Sequence, residues 1–270
     1  MTQQHPAPSR SRTAWELAIV LALSFGASGV YAIVAIVERL TREQPLSQQT
    51  ATINRPLAEQ AVLDLVYQLL SFAFGLAPVA LVIFLVWRRT PPRLGALGLG
   101  TPLGGYRDPK RRWWRREIWY GVGLAALIGI PGIAFYLATK AVGINVTVVP
   151  TVLDAYWWTV PVLILQALKA ALGEELIVVA YFFDRLRKLG AGAVTTIVTS
   201  ALLRGSYHLY QGFGGFLGNV VMGLVFGWCY QRYGRALPLV IAHWILDIVS
   251  FAGYPIALAL WPALFAAPGA

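Results

Sequence analysis

AVLDLVYQLLSFAFGLAPVALVIFLVW, residues 61–87, holds a single charged side chain, Asp64, over a length greater than the roughly 20 residues a helix needs to cross a hydrocarbon core. In lipid such a run must satisfy its own backbone N–H and C=O groups, which a helix does and an isolated strand does not. Further apolar runs lie at 14–37, 118–138, 156–183, 191–207, 215–230, 237–251 and 254–267. The chain therefore reads as all-α, a polytopic integral membrane protein with about eight transmembrane helices.

Composition agrees with that reading. Of the 270 residues 57% are hydrophobic and only 13% charged, against roughly 25% charged in a soluble domain. The net charge of +10 does not indicate a soluble nucleic-acid binder, because such a protein would not carry repeated spanning-length runs. Run 14–37 exceeds the roughly 7 to 15 residues of a secretory h-region, so it is expected to be a retained anchor. The lone Cys229 allows no intrachain disulfide and no cysteine-based zinc site.

Basic residues then assign sides, since cytoplasmic loops are rich in Lys and Arg. With the N-terminus inside, sixteen fall on inner segments: Arg10 and Arg12; nine between Arg88 and Arg116; Arg185, Arg187 and Lys188; Arg232 and Arg235. Four fall outside, namely Arg39, Arg42, Arg55 and Lys140, while Lys169 and Arg204 lie within spans. The expectation is a cell-membrane protein with both termini cytoplasmic. The loop 88–116 ends in Lys110-Arg-Arg-Trp-Trp-Arg-Arg116, a pattern suited to anionic headgroups at the membrane surface. Three regions are expected: an N-terminal three-helix region with the basic loop (1–154), a core (155–254), and a C-terminal helix (255–270).

Ionisable side chains at membrane depth cost at least about 2.5 to 3.5 kcal/mol each, so each one needs a role. Lys169, Glu174 and Glu175 lie in the fourth run, Arg204 and His208 close the fifth, and His243 and Asp247 share one helix face at i, i+4. Counting a rise of about 1.5 Å per residue, Glu174, His243 and Asp247 reach similar depths. A straight helix from Gly190 would carry His208 roughly 27 Å, near the far side. The Thr195, Thr196, Thr199 and Ser200 polarity suggests instead that this stretch lies partly in the interface before descending.

The ordered string Glu174-Glu175, Arg204-Gly-Ser-Tyr-His208 and His243-Trp-Ile-Leu-Asp247 resembles the three motifs of the CPBP family of CAAX proteases and bacteriocin-processing membrane proteins. That family carries EExxxR, FxxxH and HxxxN or HxxxD on successive helices. Val179 stands where the family has Arg, and Arg204 where it has Phe.

The resemblance implies an intramembrane endopeptidase acting on a peptide or protein substrate in the membrane near the cytoplasmic face. Glu174 would be the general base and His208 its partner. His243 and Asp247 would form the electrophilic side, with Glu175 in the catalytic set and Arg204 supporting it. An ionised Asp247 cannot donate a hydrogen bond, so it would be protonated, orient His243, or ligate a metal. Three clustered carboxylates call for balance by protons, by Arg204 and Lys169, or by a divalent ion such as zinc, for which Glu174, His208 and His243 are the candidate ligands. HExxH is absent. Two competing readings are a non-catalytic membrane scaffold of the same family and a small proton-coupled transporter.

Overall fold

The computed structural model describes residues 9–86, 97–99 and 110–265. Its first expected span is two helices, α1 (Arg10–Ala22) and α2 (Phe25–Leu40), bent by 52°. The break falls at Leu23 and Ser24, where the Ser24 hydroxyl donates to the Val20 carbonyl at 2.6 Å. Next come strand β1 (Thr50–Asn54), α3 (Ala61–Gly75) and α4 (Ala77–Val86), the last two forming the opening apolar run. Arg88, Arg89, Arg93 and Arg107 of the basic loop expected to be cytoplasmic lie outside the described residues.

After them come α5 (Lys110–Ala141), strand β2 (Thr147–Thr151), and a continuous helical rod over 159–188. The rod consists of α6 (Thr159–Gly173), a π-helical turn (Glu174–Tyr181) and α7 (Phe182–Lys188). The chain continues as α8 (Ala193–His208), α9 (Phe213–Tyr233), α10 (Leu237–Leu260) and the short α11 (Pro262–Phe265). Among the described residues four helices are long and apolar enough to cross a membrane, or five if the bent α1–α2 pair is one span.

Two expectations need correction. The seventh and eighth expected spans are one helix, α10, which continues through Gly253 and Pro255. In lipid the chain has no water to accept the backbone groups a break would free, so a proline is tolerated within the helix. The region boundary at 254/255 accordingly falls inside a helix. The architecture also contains a small parallel sheet, with Thr50 opposite Thr147 and Asn54 opposite Thr151. Its β-branched segments, TATIN and TVVPT, lie in connections between spans, where strand pairing satisfies the backbone.

One end of the bundle gathers the start of α1, the end of α7 and the start of α10. There Arg10 donates to the Leu189 carbonyl, Arg185 pairs with Glu16 at 3.1 Å, and Arg235 pairs with Glu117 at 2.6 Å. This is the basic end. At the opposite, sheet end, Val146 N–H donates to the Gln211 carbonyl at 3.1 Å and Lys140 Nζ to the Leu264 carbonyl at 2.9 Å. α10 runs without interruption from one end to the other, so Arg10 and Phe265 lie at opposite ends of the bundle.

The most extensive of three buried apolar clusters joins the first half to the second, including Val82, Leu97, Leu176, Phe183, Phe226 and Leu239. Small residues let the helices that carry the site approach closely. A Cβ on Gly223 of α9 would come within 2.8 Å of the Ala201 Cα on α8, so a larger residue there would push the two helices apart.

Candidate active site

The site forms where three elements present polar faces to one another. The π turn of the rod carries Glu174 and Glu175, α8 carries Ser200, Arg204, Tyr207 and His208, and α10 carries His243 and Asp247. Positions 200, 204 and 207/208 recur at helical spacing and line one face of α8. Within the π turn the Val178 carbonyl accepts from the Ser200 hydroxyl at 2.7 Å, which ties the rod to α8.

Glu175 is fully buried and sits at the centre of the ionic network. Its Oε1 accepts from Arg204 Nη2 at 2.5 Å and lies 2.8 Å from His243 Nδ1. Arg204, 1% exposed, also reaches Glu174 Oε2 at 3.8 Å and lies over the Phe226 ring at 5.4 Å. A guanidinium this deep is stable only when paired, and the two carboxylates and the ring supply the pairing.

Glu174 faces the other way. Its Oε2 accepts from the Tyr207 hydroxyl at 2.8 Å, and its Oε1 lies 3.7 Å from His208 Nε2. That distance is too long for a direct hydrogen bond and leaves both atoms able to contact one further small oxygen species. His243 Nε2 lies 3.5 Å from Asp247 Oδ2. The imidazole is therefore held on its Nδ1 side by Glu175, which leaves Nε2 toward Asp247.

Glu174, His208, His243 and Asp247 all line one cavity of about 750 Å³. Glu175 and Arg204 do not line it; they stand behind it. Lys169 stays apart from the cluster, near Ser71 Oγ at 3.4 Å, so the cation balancing the carboxylates is Arg204. Reading the motifs alone misses Tyr207, Gln211 and Asn219, which also line the cavity. The only pointer to Tyr207 is its place beside His208, since its bond to Glu174 depends on helix rotation.

The stretch after Gly190 reaches His208 as a single helix. α8 starts at Ala193 and runs unbroken to His208, and Thr196 and Thr199 return their hydroxyls to backbone carbonyls within it. His208 meets Glu174 at the end of this helix. The chain then turns through Gly212, whose φ of +105° suits glycine, into α9.

The donors do not fit the expected metal. Among the described residues no group of three or more His, Cys, Asp or Glu side chains is arranged to hold an ion. Glu174 Oε2 is engaged by Tyr207, and His243 Nδ1 by Glu175. A zinc ion would need several of these donors to converge within about 2.0 to 2.2 Å of one point. The metalloprotease expectation is not supported.

Residues 156–249 match the family model described as Rce1-like, type II CAAX prenyl endopeptidase Rce1-like. No curated protein and no solved structure matches the chain.

Proposed function

We propose, on the premise that residues 156–249 belong to the CAAX-protease (CPBP) family, that this membrane protein is an endopeptidase hydrolysing a peptide bond of a membrane-associated substrate. The observation that carries the reading is Glu174 facing His208 across 3.7 Å on the wall of a cavity that His243 and Asp247 also line. A water in contact with both Glu174 Oε1 and His208 Nε2 would lose a proton to the carboxylate as its oxygen attacks the scissile carbonyl carbon. His208 would hold that water and later help return the proton to the leaving amine as the C–N bond breaks.

The carbonyl oxygen gains charge in the same step and needs a donor about 2.7 to 3.1 Å away. His243 fills that role through Nε2–H, with Asp247 orienting the ring from the cavity side and Glu175 from behind. Glu175 and Arg204 are then positioning residues. The bond from Tyr207 leaves Glu174 one free oxygen, directed at His208.

The test uses purified protein in detergent with a library of quenched fluorescent peptides. Glu174→Gln and His208→Ala should each lower turnover by about 10²- to 10⁴-fold while leaving the helical content and thermal transition in place. Unchanged turnover in Glu174→Gln would remove the general base assignment. Absence of any cleavage by the parent protein would favour the scaffold reading.

A further inference from the structure

Of the ionisable residues in the fourth apolar run, Lys169 is the one the site leaves out. It lies in the seam between α6 and α3, and that seam is polar. The buried residues of α3 are Asp64 and Gln68, and the Gln68 carbonyl accepts from Gln166 Nε2 of α6 at 3.1 Å. Asp64, near the start of α3, takes the Leu57 N–H at 2.8 Å. Lys169 lies further along the seam. Its stem crosses Gly75, where a Cβ would come within 2.5 Å of the lysine Cδ, and its Nζ stands 3.4 Å from Ser71 Oγ.

The depth of this ammonium follows from the helices. Tyr156 and Trp157 are exposed just before α6, as aromatic residues at a membrane interface are. Lys169 is ten residues on from Thr159 and Ser71 ten on from Ala61, so both lie about 15 Å along, half of a core roughly 30 Å thick. A cation at that depth is stable when an anion pairs with it. Among the described residues no carboxylate does so. Asp64 is seven residues from Ser71, about 10 Å along α3. Glu16, Glu117 and Asp184 pair with arginines, and Glu174, Glu175 and Asp247 belong to the site. Lipid headgroups stay at the surface, beyond the reach of a lysine stem from mid-core. A second copy of this chain offers no acid either, because those of its described helices are the ones just named or, like Glu38, lie at a helix end.

We propose that Lys169 and the outer face of α3 form a docking surface for the transmembrane helix of another protein, one that carries an Asp or Glu at mid-membrane depth. The surface suits a helix. Ala73, Gly75 and Ala77 are exposed and small, which lets a second backbone approach closely, and Val66, Leu70 and Phe74 stand exposed beside them. Gly75 is the point at which the lysine stem is open to the outside, so an incoming carboxylate meets the ammonium across it. Since Lys169 takes no part in the site, this surface is independent of the peptidase reading.

The test places the full-length protein, donor-labelled at its N-terminus, in phosphatidylcholine vesicles with an acceptor-labelled synthetic leucine–alanine helix. Energy transfer reports association, and a central substitution in the helix sits at mid-depth whichever way the helix inserts. A central Asp should bind about tenfold more tightly than a central Leu, and Lys169→Leu, which removes a membrane-buried charge, should abolish the difference. Lys169→Asp should reverse the preference, so that a helix with a central Lys binds better than one with a central Asp. Phosphatidylglycerol added to the vesicles should leave association unchanged. Equal binding of the Asp and Leu helices, an Asn helix that binds as well as Asp, or a preference that survives Lys169→Leu would overturn the proposal. Displacement by phosphatidylglycerol would do so too, by assigning the ammonium to a lipid headgroup.

Discussion

Arg204 stands at a position where the family pattern has phenylalanine, and it contacts Glu175 at 2.5 Å and Glu174 at 3.8 Å. The pattern's own arginine would sit at 179, where a buried valine occurs. The cation beside the carboxylates is thus supplied from α8 and not from the helix that carries them, which makes compensation between the two departures testable. Removal of one partner from a buried pair costs about 3 to 5 kcal/mol, since the other charge is left desolvated. Arg204→Phe alone should destabilise by that order, and Arg204→Phe with Val179→Arg should recover much of it. Thermal or denaturant unfolding in detergent gives the coupling energy, and simple additivity would show that Arg204 does not replace the missing arginine. Tyr207 allows a separate test, because its hydroxyl fixes Glu174. Tyr207→Phe should lower kcat of the proposed peptidase reaction about 10-fold or more with little change in KM, and Tyr207→His should restore part of the loss if the donor matters; equal change in kcat and KM would assign the tyrosine to substrate binding.

At the scale of elements, the π turn and the polar face of α8 depend on each other. The wider turn brings Glu174 and Glu175 together on the inner side of the rod, and Ser200 takes up the Val178 carbonyl. Ser200→Ala removes that hydrogen bond, at a cost of about 0.5 to 1.5 kcal/mol. It should also slow turnover by displacing Glu174, whereas Thr199→Ala, on the exposed side of the same helix, should change neither. Equal effects of the two substitutions would mean that the carbonyl is satisfied in another way. The groups meeting in the site were legible in the sequence because an ionisable residue in an apolar run is itself a signal, and Glu174, His208, His243 and Asp247 do line one cavity. The π turn was not, since its local residues, LIVVAY, suit an ordinary helix equally well. Nor was the reach of α8: counting rise places His208 toward one end of the bundle, and the site is displaced toward that same end, so no detour through the interface is needed.

For the whole molecule, apolar runs locate the helices well and their connections poorly. Gly253 and Pro255 look like a break in the sequence, yet α10 spans both, and the strands that meet at the sheet end come from segments nearly a hundred residues apart. Long-range pairing of that kind leaves no local periodicity to read. The merged helix changes the topology in a checkable way. With Arg10 at one end of the bundle and Phe265 at the other, a cytoplasmic Arg10 predicts a non-cytoplasmic Phe265, and with it the Lys140 contact to the Leu264 carbonyl. Charge does not oppose this arrangement, because the chain from Ala236 to its last residue contains no Lys or Arg, so a translocated C-terminus leaves the sixteen-to-four bias intact. A reporter enzyme that is active only outside the cytoplasm, fused after the last residue, should therefore be active. The same reporter inserted at Gln231 should be silent, and a cytoplasm-dependent fluorescent reporter should give the opposite pattern at the two sites. Activity of the cytoplasmic reporter at the C-terminus would show that α10 does not carry the chain across, and would restore an even number of crossings.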